Sequence, residues 1–110
     1  MSDEHPVLEV IEVREPGRVR VRVLGELDLA GAPTLSERLR RHHQRGDAVL
    51  LDLDELDFID MSGLRVVLTA AEQASRDGGG FAVTRGSSSV RRLVALVGVD
   101  GRSPFDGASA

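Results

Sequence analysis

The chain has 110 residues, 41% hydrophobic and 29% charged, with a formal net charge of −4, which fits one domain able to bury its own core. The acidic balance and an aromatic content of 3%, without Tyr or Trp, argue against a nucleic-acid partner, and the absence of cysteine excludes disulfides, thiolate nucleophiles and Cys-ligated metals. All 14 basic residues are arginine, which removes lysine-based Schiff-base chemistry and fits codon bias in a GC-rich genome.

No apolar run approaches the roughly 20 residues needed to span a bilayer. The start, Met1 to Pro6, is acidic and polar, the opposite of a signal peptide. The expectation is a cytoplasmic protein without membrane insertion. His5 lies near the N-terminus and His42 and His43 are adjacent, which is not the i, i+4 spacing of a helical metal site. Neither a metal nor a cofactor is expected.

In chain order, residues 7–14 are rich in β-branched side chains but shift phase between Val10 and Ile11, the mark of a bulged or edge strand. After a turn at Pro16-Gly17, Val19, Val21 and Val23 alternate with Arg18, Arg20 and Arg22, so a second strand has one buried and one wet face. The arginines read as a solvated face flanked by Glu9, Glu12 and Glu15, in preference to an anion-binding stripe. Around Leu29 to Pro33 a helix begins, with proline in its first turn. Leu35 and Leu39 form its apolar stripe. Arg38, Arg40, Arg41, His42, His43 and Arg45 crowd its last turns before Gly46, as cations complementing the helix dipole.

Ala48 to Leu53 reads as a buried strand, Phe58 and Ile59 as its exit, and residues 62 to about 76 as a helix with Leu64, Val67, Leu68 and Ala71 on one face. Gly78 to Gly80 stops it. Phe81 to Arg85 is a short strand, Ser87 to Ser89 offer N-caps, and Val90, Leu93, Val94 and Val97 stripe a third helix. The order ββαβαβα predicts an α/β single domain over 1–110, a mixed sheet of about four strands with helices packed on it. Residues 1–6 and 100–110 are expected to be poorly ordered.

Asp52, Asp54, Glu55, Asp57 and Asp60 invite a magnesium or acid–base reading, but they suit a solvated strand end better. Ser62 lacks a nominated base, and its flanks Asp60 and Leu64 do not make Gly-x-Ser-x-Gly. No catalytic residue is assigned. Ser62 does sit on the first turn of a helix, where the dipole tolerates an added phosphate and a kinase would bring the rest of the chemistry. The bland alternative is that Asp60 caps the helix and Ser62 is filler.

Gly25-Glu26-Leu27-Asp28, Val49 to Leu53 and Phe58-Ile59-Asp60-Met61-Ser62-Gly63-Leu64, in that order, resemble the STAS domain family, which includes bacterial anti-sigma factor antagonists. The likeness runs from about residue 7 to residue 99. It implies that Ser62 is phosphorylated by an anti-sigma factor serine kinase, that the unphosphorylated form sequesters this kinase, and that a phosphatase resets phospho-Ser62. Asp28, Asp60, Met61, Ser62 and Gly63 are the implied partner-binding positions. Met61 stands where the family usually has a hydroxyl, and the strand and helix that commonly follow the third helix are replaced by eleven residues. The alternatives are a STAS subunit of a stress-signalling complex or lipid-transport ATPase, and a small enzyme using Ser62 or the acid cluster.

Overall fold

The computed structural model describes residues 7–98 and Phe105. The poor order expected of 1–6 and of most of 100–110 lies outside the described residues; Phe105 itself is 7% exposed and belongs to the core cluster. The elements are β1 (Glu9–Glu15), β2 (Arg18–Leu27), α1 (Ala32–Arg45), β3 (Val49–Asp52), β4 (Leu56–Ile59), α2 (Met61–Asp77), β5 (Phe81–Val83) and α3 (Ser88–Val97). The architecture is α/β as expected, with five strands in place of about four.

The sheet runs β1-β2-β3-β5, with β4 also paired to β2. The β1–β2 pair is an antiparallel hairpin, and every pairing across a helical crossover is parallel. The additional strand exists because β2 is ten residues long and serves two partners. Val19 to Arg22 pair with β3, and beyond a register shift at Gly25/Glu26, Gly25 to Leu27 pair with β4. Gly25 is required at that shift: its φ is +89°, and a Cβ there would lie 2.0 Å from the Val7 carbonyl oxygen.

Residues opposite one another in the hairpin share a face, so Val10, Glu12 and Arg14 lie with Val23, Val21 and Val19, while Ile11 and Val13 lie with Arg22 and Arg20. Both faces of β1 therefore carry apolar residues. That is the origin of the phase shift in its sequence: pairing is unbroken from Glu9 to Glu15 and β1 is an edge strand without a bulge. On the inner face, Val19, Val21 and Val23 join Leu35 and Leu39 of α1 and Leu64 and Val67 of α2 in one core. In α3 only Val90 is fully buried; Leu93 and Val94 pack on the core, and Val97, at the end of its expected stripe, is exposed.

The arginine face is solvated but ordered by ion pairs. Glu15 accepts from Arg20 at 2.7 Å and Arg18 at 2.9 Å, Arg20 also reaches Asp52 at 2.8 Å, and Arg22 reaches Glu55 at 2.9 Å. The Arg20 and Arg18 hydrogen bonds hold the Glu15 carboxyl below the usual carboxylate range. Of the expected flanking acids, Glu12 turns the other way, to α1.

His42 stands in the last turn of α1 with the other basic residues, as expected, and is in addition buried. His42 is 3% exposed; its Nδ1 lies 2.8 Å from Asp47 and its Nε2 3.1 Å from Glu12, which Arg38 also reaches at 3.0 Å. Burial pushes the Glu12 carboxyl up, but hydrogen bonds from Arg38 and His42 outweigh it and leave it lowered. The His42 hydrogen bond likewise lowers Asp47. One imidazole thus fastens the end of α1 to the edge strand and to the approach of β3.

Candidate functional site

The C-terminal ends of β2 and β4 lie side by side and carry the site. Asp60 leaves β4 in an extended conformation, and its N–H donates to the Leu27 carbonyl at 3.2 Å. Its Oδ1 accepts the N–H groups of Ser62 at 2.9 Å and Gly63 at 3.2 Å, and its carbonyl accepts that of Leu64 at 3.0 Å. Asp60 is therefore the N-cap of α2. Asp60→Ala is expected to lower stability by about 1 kcal/mol and Asp60→Asn to stay near the parent, as read by thermal denaturation; equal midpoints for Asp60→Ala and the parent would show that the cap is not used.

Gly63 is buried against β2. A Cβ at this position would fall 2.5 Å from both the carbonyl oxygen and the Cγ of Leu27, so only glycine lets the first turn of α2 approach this closely. The turn that carries Ser62 is thereby fixed by an N-cap on one side and by a backbone contact on the other. Asp28, directly after Leu27, is half-buried and shapes the next turn: its Oδ1 accepts the Gly31 N–H at 3.0 Å and its carbonyl accepts that of Ala32 at 2.8 Å.

Ser62 is half-buried, and among the described residues its hydroxyl has no hydrogen-bond partner. It lines a groove of about 490 Å³ between α1 and α2, with Leu29 and Arg65 also in the lining. Exposed apolar residues occur on the neighbouring segments: Leu29 (74% exposed) after β2, Phe58 (45%) in β4 and Met61 (44%) at the start of α2. Asp28, Asp60, Met61, Ser62 and Gly63 are thus gathered at one end of the sheet. Leu29 and Arg65, which share the groove with Ser62, were not singled out for this site from the sequence. The signals were present in the apolar residue following Asp28 and in an arginine at i+3 from the serine.

The other candidates disperse. Asp52 faces Arg20, Glu55 faces Arg22, Asp54 accepts the Gly86 N–H at 3.1 Å, and the Asp57 carbonyl accepts the Ser89 hydroxyl at 2.9 Å. No group of three or more metal-ligating side chains forms among the described residues. His43 lines the same groove as Ser62 but bonds Asp77 at 2.7 Å, the far end of α2, about 22 Å away along the helix axis. It cannot serve that hydroxyl as a base.

A family profile described as "Mlab, STAS domain" matches residues 11–105. The chain belongs to the STAS family. This STAS domain is 26% identical over 81 residues to the anti-sigma-B factor antagonist of Bacillus subtilis (strain 168), covering 74% of each chain. It superposes on an anti-sigma factor antagonist from Mycobacterium paratuberculosis with a TM-score of 0.78 at 26% identity, covering 91% of this chain and 86% of that one. Unphosphorylated SpoIIAA, an anti-sigma factor antagonist, shares the fold at a TM-score of 0.69 and 20% identity, over 82% and 81% of the two chains. Among the described residues, no helix of the STAS domain is long and apolar enough to cross a membrane.

Proposed function

We propose that this STAS domain is an anti-sigma factor antagonist, a binding module without catalysis of its own, that sequesters an anti-sigma factor serine kinase and is switched off when that kinase phosphorylates Ser62. The observation that carries the reading is a serine hydroxyl without a partner among the described residues, lining a groove that exposed Leu29 also lines and standing next to exposed Met61 in the chain. Exposed apolar side chains around a polar centre suit a protein contact. The names of relatives at 26% identity point to the same class of partner.

In the transfer, the γ-phosphoryl group of ATP passes to the Ser62 oxygen, ADP leaves, and a base of the kinase takes the hydroxyl proton. The product carries roughly 1.5 to 2 negative charges beside the Asp60 carboxylate and next to exposed Met61. A partner packed there would have to desolvate that charge, so it is released. The fold is unaffected, because the hydroxyl holds nothing in place. A phosphatase restores the binding form by hydrolysing the phosphoester with water.

Incubation with an anti-sigma factor kinase and ATP is expected to add one phosphate, mapped by mass spectrometry to Ser62 and absent in Ser62→Ala. Ser62→Asp is expected to weaken kinase binding about 30- to 100-fold, about 2 to 2.7 kcal/mol, with a thermal midpoint within about 2 °C of the parent. Labelling elsewhere, or unchanged binding of Ser62→Asp, overturns the switch.

A further inference from the structure

We infer that Arg65 is the internal counter-ion of a phosphate on Ser62 and holds it at the mouth of the α1/α2 groove. The inference rests on the phosphorylation proposed above and concerns what receives the charge once it is there. The helix end itself is already occupied: the N–H groups of Ser62 and Gly63 are bonded to the Asp60 carboxylate and that of Leu64 to the Asp60 carbonyl. A phosphate on Ser62 therefore meets a neighbouring carboxylate before it meets free donors. It needs a cation.

Three basic side chains line the groove, Arg40, His43 and Arg65. Arg40 is paired with Glu37, and His43 with Asp77 at the far end. Arg65 alone of the three has no ion pair or hydrogen bond among the described residues. It stands at i+3 from Ser62 on α2, where Cβ atoms are about 5–6 Å apart. Helical side chains also lean toward the N-terminus, which carries the guanidinium in the direction of residue 62. A guanidinium fork matches two phosphate oxygens at once, which an ammonium cannot do. The phosphate is thus folded over the groove by the chain's own arginine.

The test needs no kinase. Phosphoserine is incorporated at position 62 during translation through a reassigned stop codon, and its second ionisation is followed by ³¹P NMR in the parent, Arg65→Ala, Arg65→Lys and Arg40→Ala proteins. The expected result is a titration midpoint lower in the parent than in Arg65→Ala by about 0.5 to 1 pH unit, partly restored in Arg65→Lys and unchanged from the parent in Arg40→Ala. The unphosphorylated Arg65→Ala protein is expected to keep the parent's thermal midpoint, since an exposed, unbonded side chain is lost. Equal midpoints in the parent and Arg65→Ala, or an equal shift in Arg40→Ala, overturn the inference. Failure of every kinase to label Ser62 would instead remove the proposed function and leave this titration readable.

Discussion

Gly63→Ala is expected to lower the unfolding free energy by about 2 to 3 kcal/mol, the range for forcing a methyl group into a filled space, and the thermal midpoint by about 10 °C. The added carbon would lie 2.5 Å from the carbonyl oxygen of Leu27 as well as from its Cγ. The side chain could turn away, but the backbone oxygen belongs to a strand paired with β4 at this point and already accepts the Asp60 N–H, and cannot. Relief comes from lifting α2, which pulls Asp60 off its bond to the Leu27 carbonyl and displaces Ser62. Gly79→Ala is the control, because no heavy atom lies within 4 Å of its Cβ position and its φ is not positive; it should fall within about 0.5 kcal/mol of the parent. Urea unfolding of the three proteins at constant m-value decides. Equal midpoints for Gly63→Ala and the parent would show that the contact yields without cost.

His42→Ala should be of similar size, about 3 kcal/mol, from loss of a buried ring together with two hydrogen bonds to carboxylates. Removing it leaves Glu12 with Arg38 and leaves Asp47 with a long contact of 3.9 Å to Arg14. His43→Ala is the matched control: its partner Asp77 is largely exposed, and such pairs contribute about 0 to 1 kcal/mol. The His42 clamp also has a pH signature. Glu12 and Asp47 have lowered folded values, so the stability they confer is complete above the ordinary carboxylate range and is lost as pH falls through those lowered values. Acid unfolding of the parent and of His42→Ala should therefore converge as pH falls. A constant gap between the two curves would contradict the clamp.

Elements whose burial follows a simple period were legible in the sequence. The valine–arginine alternation of β2 and the leucine stripe of α1 match the observed inner face. β4 was not legible as a strand, because the burial order of Leu56-Asp57-Phe58-Ile59 follows no two-residue alternation and its pairing depends on the part of β2 beyond Gly25. The burial of His42 was not legible for a related reason: it stands among arginines in the sequence, and one of its two acids, Glu12, is 30 residues upstream on another element. The serine turn could be located from Asp60 to Gly63. The reason for its glycine could not, since the obstruction is the Leu27 carbonyl, a contact created only by folding.

Leu29, Phe58 and Met61 are exposed on the segments that lead to and from the serine turn and lie outside the core cluster. Their replacement should disturb the framework little, so the chemistry of this surface can be rewritten while the hydroxyl and its scaffold stay as they are. A cell keeping several paralogues of this kind could insulate one pathway from another by exchanging those three side chains, at the level where mismatched shapes exclude the wrong partner. Cross-talk would then be governed by residues that folding leaves free to drift.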